Sequence, residues 1–357
     1  MYRRELKKPD GRDLILYARA PIDLAITAPA AGHAGPRSSH LRWHPLRGEW
    51  IIYAGHRQDR TFLPPPGWDP LAPTTDPDHP TEVPAGAWDV AVFENLYPAL
   101  GGAAIPAPAE IVTTAAAGGR CEVVVFTQDP GGSLGALPLD HVDLVLAVWA
   151  DRTRVLAAHP DVAHVFPFEN RGVEVGATLA HPHGQIYAYP FVPPVLAQEL
   201  ALQEAHFARH GASLLGQLIA SEILADHRTL YVGPHAVAFV PVCARWAYEL
   251  WVAPRRPAPT LAALSDAERL DLAAALKLAL QKLDALWQHP MPYVLAVHQA
   301  PARGDHPYAH VHLEIYPWLR MPGRLKYLAG SEVGAGTFTA DTLPEAKAAE
   351  LRAVEVP

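Results

Sequence analysis

Two stretches of this chain place histidines at a spacing that could do chemistry. His181-Pro-His183-Gly-Gln185-Ile-Tyr187 and His310-Val-His312-Leu-Glu314-Ile-Tyr316 share the pattern His-x-His-x-(Gln/Glu)-Ile-Tyr with no gap. On a strand, alternate side chains share a face, so His181, His183 and Gln185 are expected to point the same way. A neutral imidazole meets an anionic phosphate without charge repulsion, and the N–P bond it forms is labile enough to pass the group on. One displacement is thereby split into two. Gln185 has no titrating proton at neutral pH, so it serves as neither acid nor base, but its amide can donate to a non-bridging phosphoryl oxygen and hold an intermediate. Gly184 leaves room for a bulky ligand against the backbone. A His-x-His strand taken alone is also a metal half-site, or two core histidines with hydrogen-bond partners.

The elements that must position these residues recur in order. Trp50–Tyr53, Val90–Phe93 and Cys121–Phe126 read as strands after short strands and loop in 1–40. Residues 64–84 carry eight prolines and predict an irregular, extended loop. Leu139–Leu156 has apolar residues at helical spacing, and strands follow near 162–168 and 183–189. The second half repeats strand, helix, strand, strand. Tyr248–Val252 is a strand, and Ser265-Asp-Ala-Glu268 is a capping box opening a helix to about Trp287. Strands at 293–298 and 310–316 follow, and a helix is expected near 344–354. Strand to histidine pair spans 57 residues in one copy (Phe126 to His183) and 60 in the other (Val252 to His312). This predicts an α+β fold with one unit duplicated, mainly antiparallel sheet with helices packed on it. The expected halves are 1–215, carrying His183, and 216–357, carrying the second histidine pair and a late glycine-rich loop.

Half of the 357 residues are hydrophobic and 18% are charged, a globular composition. A formal net charge of -8 argues against a nucleic-acid partner, which needs a basic face. Cys121 and Cys243 stand far apart without Cys-x-x-Cys spacing, so a reducing cytoplasm is expected. The basic start Met1–Lys8 lacks a following apolar run because Asp10, Arg12, Asp13, Arg19 and Asp23 interrupt it, and no stretch is apolar enough to span a membrane.

Phe168-Glu-Asn-Arg-Gly172, Gly176 and His181-Pro-His-Gly-Gln185 together resemble the galactose-1-phosphate uridylyltransferases, the branch of the histidine-triad superfamily with Gln in the third triad place. The resemblance runs from about 40 to 338. It includes Trp50-Ile, Arg57-Gln-Asp-Arg60, Val92-Phe-Glu-Asn95, His298-Gln-Ala-Pro301, His310 to Pro317 and Lys326-Tyr-Leu-Ala-Gly-Ser-Glu332. It implies that His183 becomes uridylylated while Gln185 hydrogen-bonds the transferred phosphoryl group. It places Arg57 and Arg60 at phosphate or nucleotide, Asn95 at the nucleoside, and Asn170 and Thr178 at the phosphates. Lys326, Tyr327 and Glu332 would reach the sugar in the partner chain's site, which implies a homodimer. Glu199, His298, His310 and His312 would hold one zinc or iron with a structural task.

The chain also departs from the family pattern. Many members hold a second zinc through Cys-Pro-x-Cys, a later histidine and the first triad histidine. Here the matching segment is Asp69-Pro-Leu-Ala72-Pro73 and the later histidine falls near Pro130, so no second metal is expected and His181 should hydrogen-bond within the protein. Rigidity of the proline-rich loop is thereby put in question. Asn95-Leu96 stands where Asn-Asp is frequent, which bears on ribose recognition. The implied reaction is ping-pong transfer of UMP from UDP-glucose to galactose 1-phosphate. Alternatives are a relative using another nucleotide sugar, such as an ADP-sugar phosphorylase, or a non-catalytic sugar-nucleotide-binding protein.

Overall fold

The computed structural model describes residues 1–31, 38–59, 67–101 and 111–356. Its strands are β1 (Tyr2–Lys7), β2 (Asp13–Ala18), β3 (His40–His44), β4 (Glu49–Tyr53), β5 (Val90–Glu94), β6 (Thr114–Ala116), β7 (Arg120–Val125) and β8 (His164–Arg171). They continue with β9 (His183–Tyr189), β10 (Thr229–Val232), β11 (Ala236–Phe239), β12 (Leu250–Pro254), β13 (Tyr293–His298), β14 (His312–Pro317), β15 (Leu319–Met321) and β16 (Arg324–Leu325). The α-helices are α1 (Leu139–Ala157), α2 (Pro194–His210), α3 (Leu214–Ala225), α4 (Asp266–Ala285) and α5 (Pro344–Ala353).

One sheet runs in the order β1-β2-β5-β7-β9-β8-β13-β14-β12-β11-β10, and every printed pairing within it is antiparallel. About the β8–β13 pairing the order mirrors itself. Chain order β2, β5, β7, α1, β8, β9 in the first half returns as β10, β11, β12, α4, β13, β14 in the second. This is the duplicated α+β unit expected from the repeated motif. The expected division at 215/216 falls in the first turn of α3.

Alternation along β9 turns Gly184, Ile186 and Ala188 into the core and leaves His183, Gln185 and Tyr187 on the opposite face. The inward side is covered by α1 and α4, which pack on each other across the two halves. Val142, Val145, Leu146 and Trp149 of α1 and Leu272, Leu276, Leu280 and Leu283 of α4 are all fully buried in one continuous core. The predicted capping box is present at α4: Ser265 Oγ accepts from the Glu268 amide while Glu268 accepts from the Ser265 amide.

Several elements start or stop differently from their expected bounds. The strand expected at 310–316 begins at His312, whereas β9 spans the expected 183–189, so His181 and His310 each precede a strand. Helices α2 and α3 and strands β10 and β11 gave no distinct sequence signal. In α2 only Leu196, Leu200 and Gln203 are buried, too few to write an apolar stripe into the sequence. Residues 67–84 form no regular element, yet backbone bonds tie them: Glu82 N to Pro70 O at 2.9 Å and Thr74 N to Val83 O at 2.9 Å.

Candidate active site

His183 stands at the start of β9, on the sheet face away from α1 and α4. Its Nδ1 lies 2.7 Å from the His181 carbonyl oxygen. With Nδ1–H donating there, Nε2 keeps the lone pair that a nucleophile needs. Burial holds the ring below the usual histidine value, opposed by the bond to the His181 carbonyl, so the ring is neutral at neutral pH.

Two cavities meet at this residue. One, of about 590 Å³, is lined by Asp69, Ser133, Asn170, Arg171, Thr178 and His181, among others. The other, of about 310 Å³, is lined by Leu71, Glu82, Phe93, Asn95, Val123 and Gln185, among others. Trp68, Thr178, Leu179 and His183 line both. The first offers hydroxyls, an amide and a guanidinium, which suit phosphate and sugar hydroxyls. The second sets the apolar and aromatic side chains of Leu71, Phe93 and Val123, which suit a base, beside the polar groups of Glu82, Asn95 and Gln185, which suit a ribose.

The expected site residues fall into groups. Asn170 lines the first cavity, Asn95 and Gln185 the second, and His183 and Thr178 both. Asn95 Oδ1 accepts from the Tyr97 amide at 2.8 Å, so its side chain also shapes a turn. Arg57 donates to the Tyr97 carbonyl at 2.8 Å and is not among the lining residues of either cavity. Arg60 lies outside the described residues. Lys326, Tyr327 and Glu332 also line neither cavity. Lys326 donates to Thr339 O at 2.8 Å and lies 3.8 Å from Glu332, whose carboxylate accepts from the Ala329 and Thr339 amides. Tyr327 is 75% exposed.

His181 is buried, with Nδ1 2.6 Å from Asp69 Oδ2 and Nε2 2.8 Å from the Thr127 carbonyl. Burial acts to raise the Asp69 carboxyl, but the His181 ring and the Leu71 and Ala72 amides outweigh it and leave it below the usual carboxylate range. The space expected at Gly184 for a ligand is taken by the protein itself. A Cβ there would stand 2.7 Å from the Phe126 ring and 2.9 Å from the Phe168 carbonyl.

Beyond Asn170 the chain turns at Gly172, whose φ of 97° is left-handed and whose Cβ would meet Pro292 at 2.7 Å. Just before it, Arg171 pairs with Asp284 of α4 at 2.6 Å. Buried Glu169 accepts from Tyr293 of β13 at 2.9 Å, and burial pushes its carboxyl up to about 7 against that bond. These contacts fix the Asn170–Thr178 wall to the second half of the fold.

Family models match both halves of the chain. The N-terminal domain of galactose-1-phosphate uridyl transferase matches residues 33–193, and the C-terminal domain matches 199–356. The chain belongs to the galactose-1-phosphate uridylyltransferase family. The family enzyme of Thermotoga maritima is 34% identical over 88% of this chain and 98% of its own. A solved uridylyltransferase superposes with a TM-score of 0.79 at 34% identity, covering 88% of this chain and 97% of its own. An ADP-glucose phosphorylase from Arabidopsis thaliana, solved with bound ADP-glucose, gives a TM-score of 0.67 at 25% identity over 89% and 99%. No helix among the described residues is long and apolar enough to cross a membrane.

The second histidine pair sits beyond the β8–β13 pairing on the same sheet face. Ligand atoms of Glu199, His298 and His312 lie within 4.8 Å of one another, a donor set compatible with one metal ion. His312 Nδ1 lies 3.0 Å from the His310 carbonyl, which directs Nε2 toward the group, as His181 does for His183. His310 lines one small cavity together with Glu199, His298 and His312 but stands outside the three-residue group. Its Nδ1 lies 3.2 Å from Ser213 Oγ and its Nε2 2.8 Å from the Pro254 carbonyl, so both ring nitrogens have partners within the protein. Glu314 also borders the group, with Oε1 3.3 Å from His312 Nε2 and 4.0 Å from His298 Nδ1. Its signal was the third position of the repeated motif, where Gln185 stands in the first copy.

Proposed function

We propose that this chain transfers UMP from UDP-glucose to galactose 1-phosphate by a ping-pong route through uridylyl-His183. The observation carrying this reading is that His183, its Nδ1 tied to the His181 carbonyl, lies where two cavities meet, one lined by Asn170, Arg171 and Thr178 and the other by Phe93, Val123, Asn95 and Gln185. His183 Nε2 attacks the α-phosphorus of UDP-glucose, the P–O bond to the β-phosphate breaks, and glucose 1-phosphate leaves with the bridging oxygen. A phosphate oxygen of galactose 1-phosphate then attacks the same phosphorus, the N–P bond breaks, and neutral imidazole returns. Gln185 donates to a non-bridging oxygen of the transferred group, and Asn170 and Thr178 hold the departing phosphate. Phosphates are good leaving groups, so no general acid is required.

The same proposal places the uracil and ribose beside Phe93, Val123 and Asn95, with Arg57 and Arg60 near the nucleotide. Glu199, His298 and His312, with Glu314, hold one zinc or iron, which would pin α2 to the sheet rather than take part in the transfer. Asp69 replaces the thiolate site around His181, so a second metal has no place there. The halves divide near α3, and the enzyme works in the cytoplasm as a homodimer whose Lys326, Tyr327 and Glu332 complete the partner's site.

Incubation with UDP-glucose alone should release glucose 1-phosphate and leave an acid-labile, base-stable uridylyl adduct on His183, seen by intact mass. Absence of the adduct under single-turnover conditions would defeat the reading. Parallel incubation with ADP-glucose and inorganic phosphate distinguishes the phosphorylase alternative. Sharing of sites is tested by mixing a His183→Ala chain with one altered at Lys326 and Glu332. Statistical heterodimers should regain up to about a quarter of wild-type activity, because one site in each is intact.

A further inference from the structure

We propose that Glu82 reads the ribose hydroxyls of the bound nucleotide, its carboxylate held in place by Lys8 and Arg12. The inference rests on the nucleotidyl-transfer reading above. Among the described residues lining the cavity on the Gln185 side, Glu82 is the one carboxylate. The neighbouring Leu96, Leu71 and Phe93 offer no polar side-chain atom, and Thr81 Oγ is spent on the Ala72 carbonyl at 2.6 Å. A carboxylate accepts and never donates, and the single ring donor of uracil, N3–H, is flanked by two carbonyl oxygens that would repel it. Two adjacent hydroxyls of a ribose are the donors in a nucleotide that suit it.

The surroundings fix this group. Glu82 Oε2 lies 3.0 Å from Arg12 Nη2 and is ion-paired with Lys8, and Oε1 lies 3.3 Å from the same guanidinium. Arg12 is held in turn by Asp10 at 2.6 Å, the Glu94 carbonyl at 3.0 Å and the Ala31 carbonyl at 3.2 Å. Lys8 also lies over the Phe93 ring, 4.8 Å from its centroid, and Phe93 lines the same cavity. Both cations are almost fully buried and come from the turn joining β1 to β2, where Lys8 N donates to Arg12 O at 2.9 Å. A carboxylate shared by two buried cations keeps one rotamer and still has lone pairs for hydroxyl donors. The N-terminal hairpin, which lies ahead of the segment matched by the family model, thereby sets a wall of the nucleotide cavity.

The test follows single-turnover uridylylation of His183 with UDP-glucose, its 2′-deoxyribose analogue and its 3′-deoxyribose analogue. Wild type should form the adduct with UDP-glucose and react about 10- to 100-fold more slowly with at least one deoxy analogue at limiting substrate. Glu82→Gln should slow UDP-glucose by a similar factor and treat the three nucleotides within about threefold of one another. A Lys8→Met/Glu82→Met variant, which removes acid and cation together, should show the same loss of discrimination without leaving a lone buried charge. Wild type that ignores both missing hydroxyls, or either variant folded yet discriminating as wild type does, would overturn the assignment. No adduct in wild type with UDP-glucose would instead overturn the transfer reading beneath it.

Discussion

Gln185 and Glu314 stand in one row of side chains across the sheet, with Phe168 and Ala296 between them. The row follows from the register, in which Gln185 pairs with Phe168, Phe168 with Ala296, and Ala296 with Glu314. They hold the same place in the two copies of the motif, one as a neutral amide and the other as a carboxylate. The amide donates to an anionic phosphoryl oxygen, while the carboxylate suits a cation. Gln185→Glu should therefore cut kcat by about 100-fold or more, since a donor to the transferred phosphoryl group becomes a repelling charge. Steady-state turnover with verified folding checks this.

Glu314→Gln should act on metal content instead. Elemental analysis of wild type should find close to one transition metal per chain, and Glu314→Gln should weaken its retention about 10- to 100-fold in competition with a chelator. His310→Asn should keep the metal, because the His310 ring bonds Ser213 and the Pro254 carbonyl. Metal removal should lower Tm more than it alters the pH dependence of the rate.

His183 fixes the acid limb of the rate profile. Burial lowers its folded pKa, so the neutral nucleophile persists below the ordinary histidine value of about 6.5. Single-turnover adduct formation should be flat from about pH 6.5 to 8 and fall only below that range. An acid limb centred above the ordinary value would contradict this.

The Asp69–His181 pair should support activity through position. Asp69→Asn should leave adduct formation measurable while slowing it about 10-fold, as expected for loss of an orienting partner. Asp69 is net depressed in the folded state. Its stabilising contribution is thus present above the usual carboxylate pKa and is lost as pH falls through the lower, folded value. The difference in Tm between wild type and Asp69→Asn should be larger at pH 6 than near pH 3, in roughly that range.

Gly184→Ala tests packing in the same strand. Its Cβ would press on the Phe126 ring and the Phe168 carbonyl. Overpacking of this kind costs about 1 to 3 kcal/mol, read from the urea midpoint.

Local pattern was enough for the elements whose burial follows a regular period. The α1 stripe, the Ser265 capping box, β9 with its alternating faces and the repeated histidine motif are all legible because each signal lies within a few turns of chain. The division of the second histidine pair was not legible. Spacing treats His310, His312 and Glu314 alike, and only the start of β14 at His312 and the packing of α2 bring Glu199, His298 and His312 together while turning His310 to Ser213. Likewise Asp69 reaches His181 across 112 positions, and Glu82 reaches Lys8 across 74. Partners that far apart carry no periodic signal. The sequence by itself determined the duplicated unit and the His183–Gln185 pairing on one strand, because both depend on short-range alternation. Tertiary structure decided which carboxylates face which cations and imidazoles, because that choice depends on strand register, loop path and the burial of charge.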